Sequence, residues 1–198
     1  MSKSRFLLMA TLFEGGLWIL AEGIGSFLHI DPMSELSANP DALLYALGGT
    51  LPLYLILLLG DRLPSLAALK NLLVDRLGKL LATMSRLEIL YLGFLAGTTE
   101  EFLFRGVLQP WFEREWGWIS GIFLSNLIFA LVHWVTPTYA LVAGLIGGYL
   151  GLSLDFGPDR NLAIPILIHS LYDIIALQSV ANLWRTLELA RKGYPPPP

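Results

Sequence analysis

Apolar residues fall into six long stretches, at residues 6–30, 42–60, 89–109, 118–135, 139–156 and 162–183, with short polar breaks between them. Each approaches the ~20 residues that a helix needs to cross ~30 Å of hydrocarbon, so each predicts a membrane-spanning helix. Residues 61–86 read differently. Leu66, Leu69, Leu73, Leu77 and Leu80 recur there at helical spacing, the stripe is widened by Leu72 and Leu81, and Lys70, Arg76 and Lys79 stand between them. An apolar stripe beside basic residues predicts an amphipathic helix on the membrane surface. A loop helix packed on the bundle satisfies the same pattern. The expected fold is all-α, a polytopic transmembrane helix bundle of about six spans plus one interfacial amphipathic helix. It forms a single integral membrane domain over residues 1–194, followed by an extended, solvated proline tail at 195–198.

Composition narrows the class. Of 198 residues, 55% are hydrophobic and 15% charged, against about 25% charged in soluble domains. No separate soluble domain fits. The net charge of −3 and the lack of a basic run exclude a nucleic-acid partner and leave the lipid bilayer as the expected surroundings. With no cysteine there is no disulfide framework, thiolate nucleophile or cysteine-based metal site. Lys3 and Arg5 precede an apolar run too long for a signal peptide and without a small-residue cleavage site, which predicts an uncleaved first span.

With a cytoplasmic N-terminus, the inside segments hold ten basic residues: Lys3, Arg5, Arg62, Lys70, Arg76, Lys79, Arg86, Arg185, Arg191 and Lys192. The outside loops hold two, Arg114 and Arg160. This bias predicts that both termini are cytoplasmic; the default location is a bacterial plasma membrane, with a photosynthetic membrane as the alternative. Trp111, Trp116 and Trp118 flank an outer boundary as an aromatic belt. Gly93 and Gly97, Gly144 and Gly148, and Gly147 and Gly151 form small-residue pairs that predict close helix packing.

Ionisable residues at the centre of a span cost roughly 2.5–3.5 kcal/mol each on insertion scales, so those that persist point to function. Here they are Glu100, Glu101 and Arg105 in TTEEFLFRG, His133 in FALVHW, and His169 and Asp173 in LIHSLYD. Either histidine alone is explained by an interhelical hydrogen bond; the combination predicts an active site. Glu101 and Arg105, four apart with the acid first, pair on one helix face. Glu100 is turned about 100° away and is the carboxylate left for acid–base work. Phe129 and His133 share one face, and His169 and Asp173 another, so Asp173 is placed to orient His169 or to share a water with it. Glu100 with His133 could deprotonate water, and His169 with Asp173 could stabilise an oxyanion. Glu14 and Glu22 lie in the first span, eight apart, as candidates to face the cavity or snorkel outward.

EEFLFR fits the pattern EExxxR, FALVH fits FxxxH and HSLYD fits HxxxN/D, in this order and each inside a predicted span. In these motifs the chain resembles, over residues 89–177, the CPBP family: the type II CAAX prenyl endopeptidases and their bacterial Abi relatives. The resemblance implies an intramembrane glutamate-type endopeptidase that needs no cofactor or metal and acts on a peptide or membrane protein, lipidated in some relatives. It implies that Glu100 activates water with His133, that His169 and Asp173 line the same pocket, and that Glu101 and Arg105 are structural. Asp173 stands where the prenyl proteases carry Asn. An ionised Asp cannot donate to an oxyanion, so Asp173 is either protonated or orients His169.

Three other readings compete. Glu100, His133 and His169 make a two-histidine, one-carboxylate zinc set, although no H-E-x-x-H helix is present. A non-catalytic adaptor, of the kind linked to bacteriocin immunity, would carry the motifs without turnover. A transporter would use the polar residues as a proton relay, but no inverted repeat or paired broken helix supports one. Depth is a further constraint: straight helices would hold His133 and Glu100 apart by on the order of 10 Å along the membrane normal, and tilt would have to close that gap.

Overall fold

The computed structural model describes residues 2–194, so the proline tail at 195–198 lies outside the described residues. The first apolar stretch forms α1 (Lys3–Leu28), opened by the Ser2 hydroxyl accepting from the Arg5 N–H and closed at His29 in the left-handed conformation. The second forms α2 (Asp41–Leu59), which runs into a 3₁₀ turn at Gly60–Arg62. The leucine-striped segment is helical throughout, as α3 (Pro64–Leu73), a π-helical turn (Val74–Gly78) and α4 (Lys79–Leu81). A capping box, Ser85 to the Glu88 N–H and Glu88 back to the Ser85 N–H, starts α5 (Arg86–Leu103). A second π-helical turn (Phe104–Leu108) carries it into α6 (Gln109–Trp116). The chain continues as α7 (Trp118–Val132), α8 (Pro137–Ser153) and α9 (Ala163–Arg191). No strand occurs among the described residues.

Three helical segments, Lys3–Leu28, Asp41–Arg62 and Ala163–Arg191, are each long and apolar enough to cross a membrane. The remaining predicted spans are helices of 18, 15 and 17 residues, the first prolonged by the π turn and α6. Large apolar side chains point outward along the bundle, among them Leu12, Phe13, Phe27, Leu44, Phe123 and Leu145. In water such a surface would aggregate; in lipid it is the required exterior. The protein is an integral membrane helix bundle.

Helix α9 is the central post, with α5 against it most extensively and α2 on another side. Glycines set the α5–α9 distance as expected. A Cβ on Gly93 would stand 2.6 Å from Ile174 Cγ1, and one on Gly97 would stand 2.6 Å from the Ser170 backbone nitrogen. Because backbone cannot swing aside, Gly97→Ala is expected to destabilise the fold by about 1–3 kcal/mol, the usual cost of overpacking. Thermal unfolding in detergent measures it; an unchanged midpoint would mean that α5 and α9 are not this close.

The leucine-striped segment lies on the bundle rather than apart from it. Val74 and Leu81 are buried with Val180 and Ala181 of α9, and Leu73, Leu77 and Leu80 pack beside them. Gly78 faces Trp184, where a Cβ would come within 2.8 Å of the side chain. Asp75, Arg76 and Lys79 face outward, as an interfacial helix requires.

Candidate active site

Glu100 and Glu101 end α5 as neighbours with different surroundings. Glu101 and Arg105 are fully buried and paired, with Arg105 Nη1 3.0 Å from Glu101 Oε1. The π-helical turn places the guanidinium where Nη2 also donates to Asn126 Oδ1 of α7 and to the Gly147 carbonyl of α8. Phe129 lies under the cation, its ring centroid 4.9 Å from the guanidinium carbon. Gln109, one further step of four residues, donates to the Gly151 carbonyl at 3.2 Å and to Glu113 at 2.9 Å. Gly147 and Gly151 thus do more than allow contact: without side chains, they leave their carbonyls open to α5 and α6. A Cβ on Gly144 would meet Ala130, and one on Gly148 would meet nothing within 4 Å.

Glu101 also holds a histidine. His169 Nδ1 lies 2.8 Å from Glu101 Oε1, the same oxygen that takes Arg105. A carboxylate can only accept, so Nδ1 carries a proton and Nε2 is the ring atom left to face the cavity. Asp173 was expected either to orient this ring or to share a water with it. Its Oδ2 stands 3.7 Å from Nε2, beyond hydrogen-bond range, so Glu101, not Asp173, fixes the ring. The helix-face rule found the i, i+4 neighbour on α9 but could not see across to α5.

His133 caps α7, and its Nδ1 lies 2.8 Å from the Phe129 carbonyl. A carbonyl too can only accept, so Nδ1 is protonated, and in the neutral ring Nε2 presents a lone pair. That atom faces Glu100 Oε2 across 3.6 Å. Among the described residues, nothing hydrogen-bonds to Oε2 of this buried carboxylate. The 10 Å separation expected from straight spans is absent because α7 is short. Its 15 residues cover ~22 Å, less than the ~30 Å of a hydrocarbon core. Val132, Trp134 and Val135 at this turn are exposed.

His133, His169 and Asp173 line a cavity of about 200 Å³ with Phe129, Tyr139 and Tyr172, and the far wall is Leu69, Leu73, Leu77 and Leu81 from the leucine-striped segment. Glu14 reaches the same region from α1: it is buried and accepts a hydrogen bond from Thr99, the residue before Glu100. Glu22 is exposed. The eight-residue spacing was read as one side of the helix, but the 80° offset is enough to divide the two. Among the described residues, no group of three or more His, Asp or Glu side chains has metal-holding geometry.

Residues 82–175 match the family model described as Type II CAAX prenyl endopeptidase Rce1-like. Over this stretch the chain is similar to the Rce1-like family. No curated protein and no solved structure matches the chain. The Rce1-like region runs from the end of α4 into α9 and contains all four expected site residues, Glu100, His133, His169 and Asp173. It implies a membrane-embedded peptidase. Glu14 and all four leucines of the cavity's far wall lie outside the matched stretch.

Four polar residues in this site escaped the sequence reading: Thr99, Gln109, Asn126 and Tyr139. Gln109 and Asn126 carried a usable signal, since both are uncharged polar residues inside predicted spans and Gln109 lies four after Arg105. A search limited to ionisable groups passes over them.

Proposed function

We propose that this protein is an intramembrane endopeptidase that hydrolyses a peptide bond of a membrane-associated substrate with water activated by Glu100 and His133. The carrying observation is the pair of facing acceptors, Glu100 Oε2 and His133 Nε2, set 3.6 Å apart with Oε2 lacking a partner among the described residues. A water about 2.8 Å from each could donate one proton to each atom, leaving its lone pairs for attack. Glu100 takes a proton as the water oxygen bonds to the scissile carbonyl carbon, and the carbonyl oxygen becomes an oxyanion. His169, protonated at Nε2, donates to that oxyanion, while Glu101 and Asp173 on either side balance the charge. The tetrahedral intermediate then collapses, the carbon–nitrogen bond breaks, and Glu100 returns its proton to the departing amine. Asp173 acts here by charge and position. Arg105 fixes Glu101, and Glu101 fixes His169, so the pair supports the chemistry without touching substrate.

The apolar lining fits a hydrophobic segment, and the family name suggests a lipid-modified peptide as the first class to try. Cleavage of a membrane-peptide library by detergent-purified protein tests the reading. Wild type is expected to cleave with or without a chelator, and His133→Ala to lose about 10²-fold or more. Loss of wild-type cleavage on adding chelator would replace this mechanism with a metal-dependent one. Full activity in His133→Ala would remove His133 from it.

A further inference from the structure

The two faces of α9 line two different cavities. Tyr172, Asp173, Ala176 and Val180 turn toward the histidines, whereas Ile174, Ile175, Gln178, Asn182 and Arg185 turn toward a second, larger cavity of about 840 Å³. This second cavity lies between α2, α3, α5 and α9, and plays no part in the hydrolysis described above.

Its lining is amphiphilic in a particular order. Ile174 and Ile175 of α9, Leu57 and Leu58 of α2, and Ile89 and Leu90 of α5 make apolar walls. Basic and amide groups gather toward the N-terminus of α5 and the C-terminal third of α9. Arg86 is exposed there, and its guanidinium has no hydrogen-bond or ion-pair partner among the described residues. Arg185 donates to the Ala82 carbonyl and to Asn182 Oδ1, and no acid pairs with it among the described residues. Gln178 also donates to Asn182 Oδ1, so the Asn182 amide nitrogen is left as a further donor. The one lining acid, Asp61, is occupied by Lys70 at 2.6 Å. Three cations against one anion leave the rim with a net charge of about +2, beside walls that suit hydrocarbon.

We infer that this cavity binds an anionic phospholipid, with its phosphodiester between Arg86 and Arg185 and an acyl chain along Ile174, Ile175 and Leu90. Charge complementarity selects the headgroup, and the apolar walls opening to the bundle exterior select a lipid over a free anion. The basic rim lies on the side that the lysine–arginine distribution assigns to the cytoplasm, where the leaflet carries anionic lipids and each basic side chain near the surface contributes about 1 kcal/mol. A lipid seated here would brace α9 from the face opposite His169 and Asp173. The inference does not depend on peptidase activity.

Thermal unfolding of the detergent-purified protein, titrated with lipid, tests it. Phosphatidylglycerol is expected to raise the wild-type midpoint, whereas phosphatidylcholine with the same acyl chains, or inorganic phosphate, is not. Arg86→Gln, which breaks no contact among the described residues, is expected to raise the phosphatidylglycerol concentration for half the shift by about fivefold. Arg185→Gln is compared by its lipid response, expected to weaken as in Arg86→Gln, rather than its absolute midpoint, because it also loses the bonds to the Ala82 carbonyl and Asn182. Lys79→Gln, an exposed basic residue outside the cavity, is expected to leave the response unchanged. An equal response to phosphatidylcholine, an equal response to inorganic phosphate, or a loss in Lys79→Gln matching that in Arg86→Gln would each overturn the inference. So would a peptide with a free C-terminal carboxylate that stabilises through Arg86 where phosphatidylglycerol does not.

Discussion

Glu100→Gln is expected to lower kcat by about 10²–10⁴-fold, with the unfolding midpoint unchanged, because it removes the proposed proton acceptor and little else. The substitution keeps the side chain's shape. The oxygen it alters faces His133 across 3.6 Å and has no hydrogen-bond partner among the described residues, so no established contact is broken. An amide cannot accept and return a proton at neutral pH, and its NH₂ can donate to the lone pair on His133 Nε2, filling the position proposed for water. Steady-state kinetics with a cleavable membrane peptide, read alongside unfolding of the same preparation, separates catalytic from structural loss. Near-wild-type kcat in a folded Glu100→Gln protein would end the glutamate mechanism.

Arg105→Met should have the opposite profile, a large loss of stability first and of activity as a consequence. Arg105 is fully buried and bonded to Glu101, Asn126 and the Gly147 carbonyl, with Phe129 beneath it. Removing it leaves the Glu101 carboxylate buried without its counter-charge, a situation that typically costs about 3–5 kcal/mol. For a chain of this size that corresponds to a fall in Tm on the order of 10 °C. Arg105→Lys is expected to recover only part of it, since one ammonium cannot reach three acceptors set around a planar fork. Any residual folded Arg105→Met should also be catalytically weak, because Glu101 would no longer be fixed against His169. A Tm within about 1 °C of wild type would show that the network is not a structural element.

The sequence made the helices easy to find and the lateral contacts hard. Six apolar stretches and one leucine stripe became the nine helices and two π turns described above, because hydrophobic length and period report burial directly. Glu100, His133 and His169 stood out because ionisable groups are rare in spans. Which groups touch was only partly legible. Spacing on a single helix anticipated Glu101 with Arg105, and His133 with Phe129, and put Asp173 beside His169, but it missed the direct hydrogen-bond partner of that ring, Glu101, 68 positions away on α5. The same limit applies to Glu14, whose partner Thr99 is 85 positions away. Helix-face reasoning has no access to a neighbour's rotation. The depth gap expected from straight spans is absent, since Glu100 and His133 face each other across 3.6 Å.

The bonds from Arg105 and Gln109 to the Gly147 and Gly151 carbonyls have a mechanical consequence. Two donors four residues apart meet two acceptors four residues apart, so α8 is keyed to α5 and α6 like a toothed rack. Sliding α8 by one residue would shift it ~1.5 Å and turn it by ~100°, sending both carbonyls away from their donors together. The α8 wall of the cavity therefore behaves as fixed masonry. A space of about 200 Å³ is small for a peptide segment, since ligand sites commonly span ~300–1,000 Å³. Under the proposed function, room for a substrate would come from the opposite wall, where Leu73, Leu77 and Leu81 are held by side-chain packing instead of a keyed register.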